Sequence, residues 1–114
     1  MGENAVAPPE GFRVTYQGLR VLRAFLAAHS ENVRSRLAGA DIMRIARLSS
    51  GTLYPLLVRF EKAGLIEGDW EAGDPKELGR PVRRLYRLTS AGVQLARQAL
   101  ETVSLGAVIA VREG

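Results

Sequence analysis

A chain of 114 residues, 46% hydrophobic and 25% charged, has room for one soluble domain with one modest core. Cysteine is absent and His29 is the only histidine; disulfides, thiolate metal sites, paired-imidazole zinc sites and a Ser-His-Asp triad are excluded, and neither metal nor cofactor is expected. The net charge of +4 rests on 14 arginines and two lysines, a weak pointer to a polyanionic partner, since a GC-rich genome gives the same bias.

Residues 1–12, with Gly2, Pro8, Pro9 and Gly11, read as a flexible arm and lack the basic end and apolar stretch of a signal peptide. A helix follows from about Thr15 to His29, with Leu19, Leu22, Phe25 and Leu26 on one face. His29 reads as a solvated cap near its end. Residues 34–37 read as a short extended piece before Gly39. A second, short helix fits Ala40–Arg47, with Asp41 in the first turn, where a carboxylate complements the helix dipole. Leu48-Ser49-Ser50 interrupts it, and serine there is a good cap for a third helix over Ser50–Ala63. In that helix Leu53, Leu56, Leu57 and Phe60 fall at i, i+3, i+4 and i+7. Gly64 sits where a helix-ending glycine belongs. Leu65–Trp70 and Val82–Leu88 read as strands around an exposed loop, Glu71–Arg80, and the acids of residues 67–77 read as aids to solubility. Trp70 reads as a residue of the hairpin core. Thr89 can cap a last helix from Ser90 to at least Val103, which Gly106 can end. The longest apolar run, Leu105–Val111, is far short of the ~20 residues of a membrane span. A reducing cytoplasm is the natural location, away from any membrane.

Charge is distributed by segment. Residues 33–60 carry five arginines against Asp41, residues 61–79 carry six acids and two lysines, and residues 80–97 carry five arginines and no acid. Segmental basic charge is what a binding footprint requires.

Two helices joined by a tight turn and followed by a hairpin have the order of a winged helix-turn-helix. The residues sharpen this. Ser49-Ser50-Gly51-Thr52-Leu53-Tyr54-Pro55-Leu56-Leu57, then Glu61, Ala63-Gly64-Leu65-Ile66 and Trp70, closely resembles the recognition-helix segment of PadR-family transcriptional regulators. Gly79-Arg80-Pro81-Val82-Arg83-Arg84-Leu85-Tyr86-Arg87-Leu88-Thr89, with Ala91-Gly92 after it, resembles that family's wing strand. The resemblance covers residues 40–97 and fits the short form with a single C-terminal helix. The expected fold is mainly α with a small β-hairpin (α+β). Its parts are the arm at 1–12, a winged helix-turn-helix at 13–89, and a C-terminal dimerisation helix at 90–114.

The residues support a DNA partner independently. With Leu53, Leu56, Leu57 and Phe60 inward, Gly51, Tyr54, Pro55, Val58, Arg59 and Lys62 lie on the outer arc. Ser49, Ser50, Gly51 and Thr52 occupy the helix N-terminus, where free N–H groups and the dipole favour phosphate. Pro55, past the first turn, carries a cost of up to about 3 kcal/mol in a helix interior; a broken local rule on a binding surface points to function. In the wing, Arg83 and Arg87 share a strand face, while Arg84 sides with Val82, Tyr86 and Leu88. Lys76 and Arg80, in the loop, can follow the DNA backbone. The expected DNA contacts are therefore Ser49, Ser50, Gly51, Thr52, Tyr54, Arg59, Lys76, Arg80 and Arg83. No catalytic set is present.

The sequence thus describes a sequence-specific DNA-binding regulator, a repressor acting on a pseudo-palindromic operator. The alternative is a winged-helix module for protein or RNA, because fold does not fix function. A two-fold dimer is expected because one winged helix reads only a half-site. Leu19, Leu22, Phe25 and Leu26 of the first helix, with Leu100, Val103 and Ala107 of the last, supply the apolar surface. The resemblance also implies a small aromatic or drug-like effector, for which the sequence offers no polar anchor.

Overall fold

The computed structural model describes residues 13–113, with side chains through residue 102. The 1–12 arm lies outside the described residues, as do the side chains of Val103 and Ala107. Eight elements follow in order: α1 (Tyr16–Glu31), β1 (Leu37–Ala38), α2 (Gly39–Ala46), α3 (Ser50–Lys62), β2 (Ile66–Trp70), α4 (Pro75–Leu78), β3 (Arg84–Leu88) and α5 (Ser90–Glu113). The fold is α+β, a winged helix-turn-helix whose helix pair is α2–α3 and whose wing is the β2–β3 connection.

Local chemistry sets the boundaries. Thr15 starts α1, its Oγ1 accepting the Gly18 N–H at 3.0 Å. The Asp41 carboxylate reaches back from the first turn of α2 to accept the Ala38 N–H at 2.9 Å, complementing the dipole as the sequence suggests. Gly64 ends α3 with φ of +76°, a conformation that costs a residue without Cβ nothing. Thr89 caps α5, accepting the Gly92 N–H at 3.0 Å. Gly106 does not end that helix, which runs on to Glu113.

Two features exceed the expected hairpin. β1 pairs antiparallel with β3, Leu37 opposite Tyr86 and Ala38 opposite Leu85, so the sheet has three strands in the order β1-β3-β2. The loop expected at 71–80 contains the one-turn α4. Asp74 starts it, accepting the Lys76 N–H at 3.0 Å, and Pro75 occupies the first turn, where its missing N–H costs nothing.

The core lies where α1, α2, α3 and the sheet meet. Val21, Leu22, Phe25, Ile42, Leu53, Leu57, Phe60, Leu65, Ile66 and Ala96 are almost wholly buried; full burial of a large apolar side chain is worth about 1.5–3 kcal/mol. The α3 stripe faces inward as its periodicity predicts. Two of the four α1 residues assigned to a dimer surface do not: Leu22 and Phe25 point into the monomer's own core, and only Leu19 and Leu26 stay partly open. The reason is geometric. α1 packs against α2 and β3 as well as α5, so its apolar stripe is mostly used within the chain.

Candidate nucleic-acid interface

The outer arc of α3 is open. Gly51, Tyr54, Pro55, Val58, Arg59 and Lys62 are all exposed, and nothing lies within 4 Å of where a Cβ on Gly51 would stand. Contrary to the capping expectation, neither Ser49 nor Ser50 caps the helix: Ser49 holds the N-cap position without a side-chain cap bond, and its hydroxyl pairs instead with that of Thr52 at 3.3 Å. The leading backbone N–H groups of α3 therefore lack the side-chain acceptor that usually occupies this end. α3 continues through Pro55; the missing N–H leaves the Gly51 carbonyl, four residues earlier, without its helical donor.

Two assigned contacts are partly engaged elsewhere. The Tyr54 ring folds back over the start of α2, and a Cβ on Gly39 would collide with the Tyr54 hydroxyl. A side chain at position 39 therefore has to displace the far end of Tyr54. Tyr54 is 44% exposed, so it presents an edge to solvent while bracing α2 against α3. Arg59 donates from Nη2 to the Arg13 carbonyl at 2.9 Å, tying the entry of α1 to α3.

The wing is laced by ion pairs. Glu71 receives a two-pronged bond from Arg80, Nη1 to Oε1 at 2.6 Å and Nη2 to Oε2 at 2.9 Å. The Arg83 N–H reaches the same carboxylate at 3.3 Å and its Nη2 at 3.5 Å. The Arg80 hydrogen bonds hold the Glu71 carboxyl down to about 2, against a desolvation that pushes the other way; the Arg83 N–H and both guanidinium charges add to the lowering. Arg84 donates to Glu61 at 2.8 Å, with its guanidinium 5.7 Å from the centre of the Trp70 ring and 5.9 Å from that of Tyr86. Burial pushes the Tyr86 phenol up while the Arg84 charge opposes it. Arg87 pairs with Glu67 at 2.7 Å. Glu61, Glu67 and Glu71 are thus partners of the wing arginines, a role beyond solubility. Trp70, expected in the hairpin core, is 64% exposed and serves as a platform for Arg84. Arg80 and Arg83 share one carboxylate, that of Glu71; Lys76 stands exposed on α4.

The side of α1 and α2 differs. A groove of about 410 Å³ between them is edged by Arg20, Arg23 and Arg47 over a floor of Ala24, Ala27 and Ile45. Arg20 donates from Nη2 to the Arg47 carbonyl at 3.2 Å. Arg47 ends α2 in a left-handed conformation, φ +57°, and turns the chain toward α3. Sequence reasoning counted Arg47 among the basic residues of its segment but missed Arg20 and Arg23. Their three-residue spacing on one helix face was the available signal. Among the described residues, no helix is long and apolar enough to cross a membrane, and no cluster of three His, Asp or Glu could hold a metal.

Comparison with known proteins agrees with this architecture. A PadR-like transcription factor from Bacteroides fragilis superposes with a TM-score of 0.59 at 26% identity, over 85% of this chain and 90% of that one. The Staphylococcus aureus MepR–DNA complex matches with a TM-score of 0.67 at 21% identity, over 92% of this chain and 69% of that one. NadR, solved with 4-hydroxyphenylacetate, matches with a TM-score of 0.61 at 27% identity, over 87% and 61%. No curated protein matches this chain in sequence. The family model of the transcriptional regulator PadR-like family matches residues 27–98, a span holding both helices of the helix-turn-helix and the whole wing. The chain is a member of the PadR-like family of transcriptional regulators, which are transcription factors and not enzymes.

Proposed function

We propose that this chain is a sequence-specific DNA-binding repressor that occupies a pseudo-palindromic operator as a homodimer in the cytoplasm. The observation that carries the reading is α3. Its core stripe is closed, its outer arc is bare, and its N-terminus has no side-chain cap. Such a helix end offers donors to phosphate and base edges in a major groove. Ser49, Ser50, Gly51 and Thr52 supply that end, Tyr54 and Arg59 its flank, and Lys76, Arg80 and Arg83 the wing. Repression follows from occupancy of the operator, with no chemistry by the protein.

The dimer reading rests on the open groove of about 320 Å³ between α1 and α5, lined by Val14, Leu19, Leu95 and Ala99 among others. Leu26 and Leu100 are also partly exposed, and Val103 and Ala107 follow on α5. Sedimentation of the full chain beside one truncated after Ser104 tests it. A full-length monomer at micromolar concentration that still binds a palindrome tightly would overturn it. A small aromatic effector is supported by NadR, whose structure holds 4-hydroxyphenylacetate.

The central experiment is selection of bound fragments from genomic DNA by the purified protein. Enrichment of a sequence with two-fold symmetry is the expected result. Absence of any duplex binding at low salt would favour the protein-interaction reading, to which the ion-paired wing lends its one point of support.

A further inference from the structure

The arginines of the wing and those of the α1–α2 groove stand in different electrostatic states. Arg80, Arg83, Arg84 and Arg87 each have a carboxylate within 3.5 Å. Arg20, Arg23 and Arg47 edge one groove, and among the described residues no ion pair engages any of them. Asp41, the acid of α2, pairs with Arg44 at 3.4 Å. Arg20 is held by the Arg47 carbonyl and by the Tyr16 ring, whose centre is 5.9 Å from its guanidinium, and neither contact neutralises its charge; the groove thus gathers three cations that an external anion can compensate. We infer that this groove is a second DNA-contacting surface, a clamp for the phosphate backbone beside the site read by α3.

The occupant is a duplex backbone for two reasons. Arg47 stands two residues before Ser49, the N-cap of α3, so the basic edge continues the helix end assigned to DNA. A strand seated there runs on toward Arg47 and Arg20. The number of charges also fits a polyanion: a single small carboxylate is satisfied by one planar fork, whereas successive phosphates present one charge per nucleotide and take one guanidinium each. The apolar floor of Ala24, Ala27 and Ile45 suits the sugar faces between phosphates. The Arg20–Arg47 bond adds positioning. It joins α1 to the left-handed turn that aims α3, so a phosphate on Arg20 bears on the turn as well as on the charge. This inference rests on the DNA-binding reading and enlarges its footprint to a third element, α1.

The test is fluorescence anisotropy of the full chain with a labelled random-sequence duplex of about 30 base pairs, long enough for two half-sites and their flanks, across a salt series. The double variant Arg20→Gln, Arg23→Gln keeps most of the packing of both side chains, and circular dichroism checks the fold. Arg83→Gln reports separately on the wing. The inference expects the double variant to flatten the slope of log K against log salt by about two, one per guanidinium. Affinity near 0.1 M salt should fall by about tenfold per lost contact. A double variant with the wild-type slope, while Arg83→Gln flattens it, overturns the clamp and leaves the DNA reading intact. No duplex binding by the wild type overturns both. Calorimetric saturation by 4-hydroxyphenylacetate that the double variant abolishes, with the salt slope unchanged, reassigns the groove to a small organic anion and overturns the clamp.

Discussion

The wing and the α1–α2 side carry similar numbers of arginines and differ in what those arginines face. In the wing every guanidinium of residues 80–87 meets a carboxylate contributed by residues 61–71. On the other side the three groove arginines meet an apolar floor. Local net charge along the chain therefore misstates the field at the surface: the acidic segment and the basic segment that follows it fold onto one another, while Arg20, Arg23 and Arg47 have no ion pair among the described residues. An arginine held by a two-pronged carboxylate has a fixed position and a reduced charge to offer; one without a carboxylate keeps its full charge.

The largest effect should come from erasing the difference. Ala27 lies in the groove one helical turn beyond Arg23, so Ala27→Glu plants a carboxylate among the three guanidinium groups at favourable spacing. Duplex affinity is expected to fall by about tenfold or more, with a flatter salt slope; an unchanged anisotropy titration would show that the groove carries no DNA load. The reverse experiment is Glu71→Gln. Removing that charge releases Arg80 and Arg83, so random-sequence binding should tighten several-fold and the salt slope steepen by about one. Weaker binding instead would mean that Glu71 holds the wing in its binding shape.

Acid provides a graded version of the same release. The Glu71 carboxyl is lowered from 4.5 to about 2 by its arginine partners, so its contribution to stability is complete above the unfolded value and disappears as pH falls through the folded one. Tm measured from pH 5 to pH 2 should decline in that window, and Glu71→Gln should remove this part of the decline. The smallest effect belongs to Arg87→Ala. Its pair with Glu67 is about half exposed on both sides, and such pairs contribute about 0–1 kcal/mol. A Tm close to wild type is the expected result of thermal unfolding.

Much of the fold was legible because its signals are local. The Leu53/Leu56/Leu57/Phe60 spacing, Gly64 and Thr89 place α3 and the start of α5 within a residue or two, and the wing strands follow from their β-forming residues. β1 was visible only as an extended stretch: two residues make a strand by pairing with Leu85 and Tyr86, some 47 positions along the chain from their partners. The interface was less legible for the same reason. Arg84 finds Glu61 across 23 residues, and Arg80 finds Glu71 across nine. Those distances in sequence hide which basic side chains remain without a partner. Trp70 misled because a large aromatic in a hairpin normally seeks the core; here the Arg84 guanidinium covers one face of the ring in the open.

The crossing of Gly39 and Tyr54 has a consequence for how this fold varies. The phenol occupies the volume that a side chain at position 39 would need, so the two positions compete for one space beside the start of α2. A side chain at position 39 swings the phenol aside, and a smaller residue at position 54 makes room for it without that shift. The direction in which the Tyr54 phenol stands on the outer arc of α3 is then a property of two residues together and of neither alone.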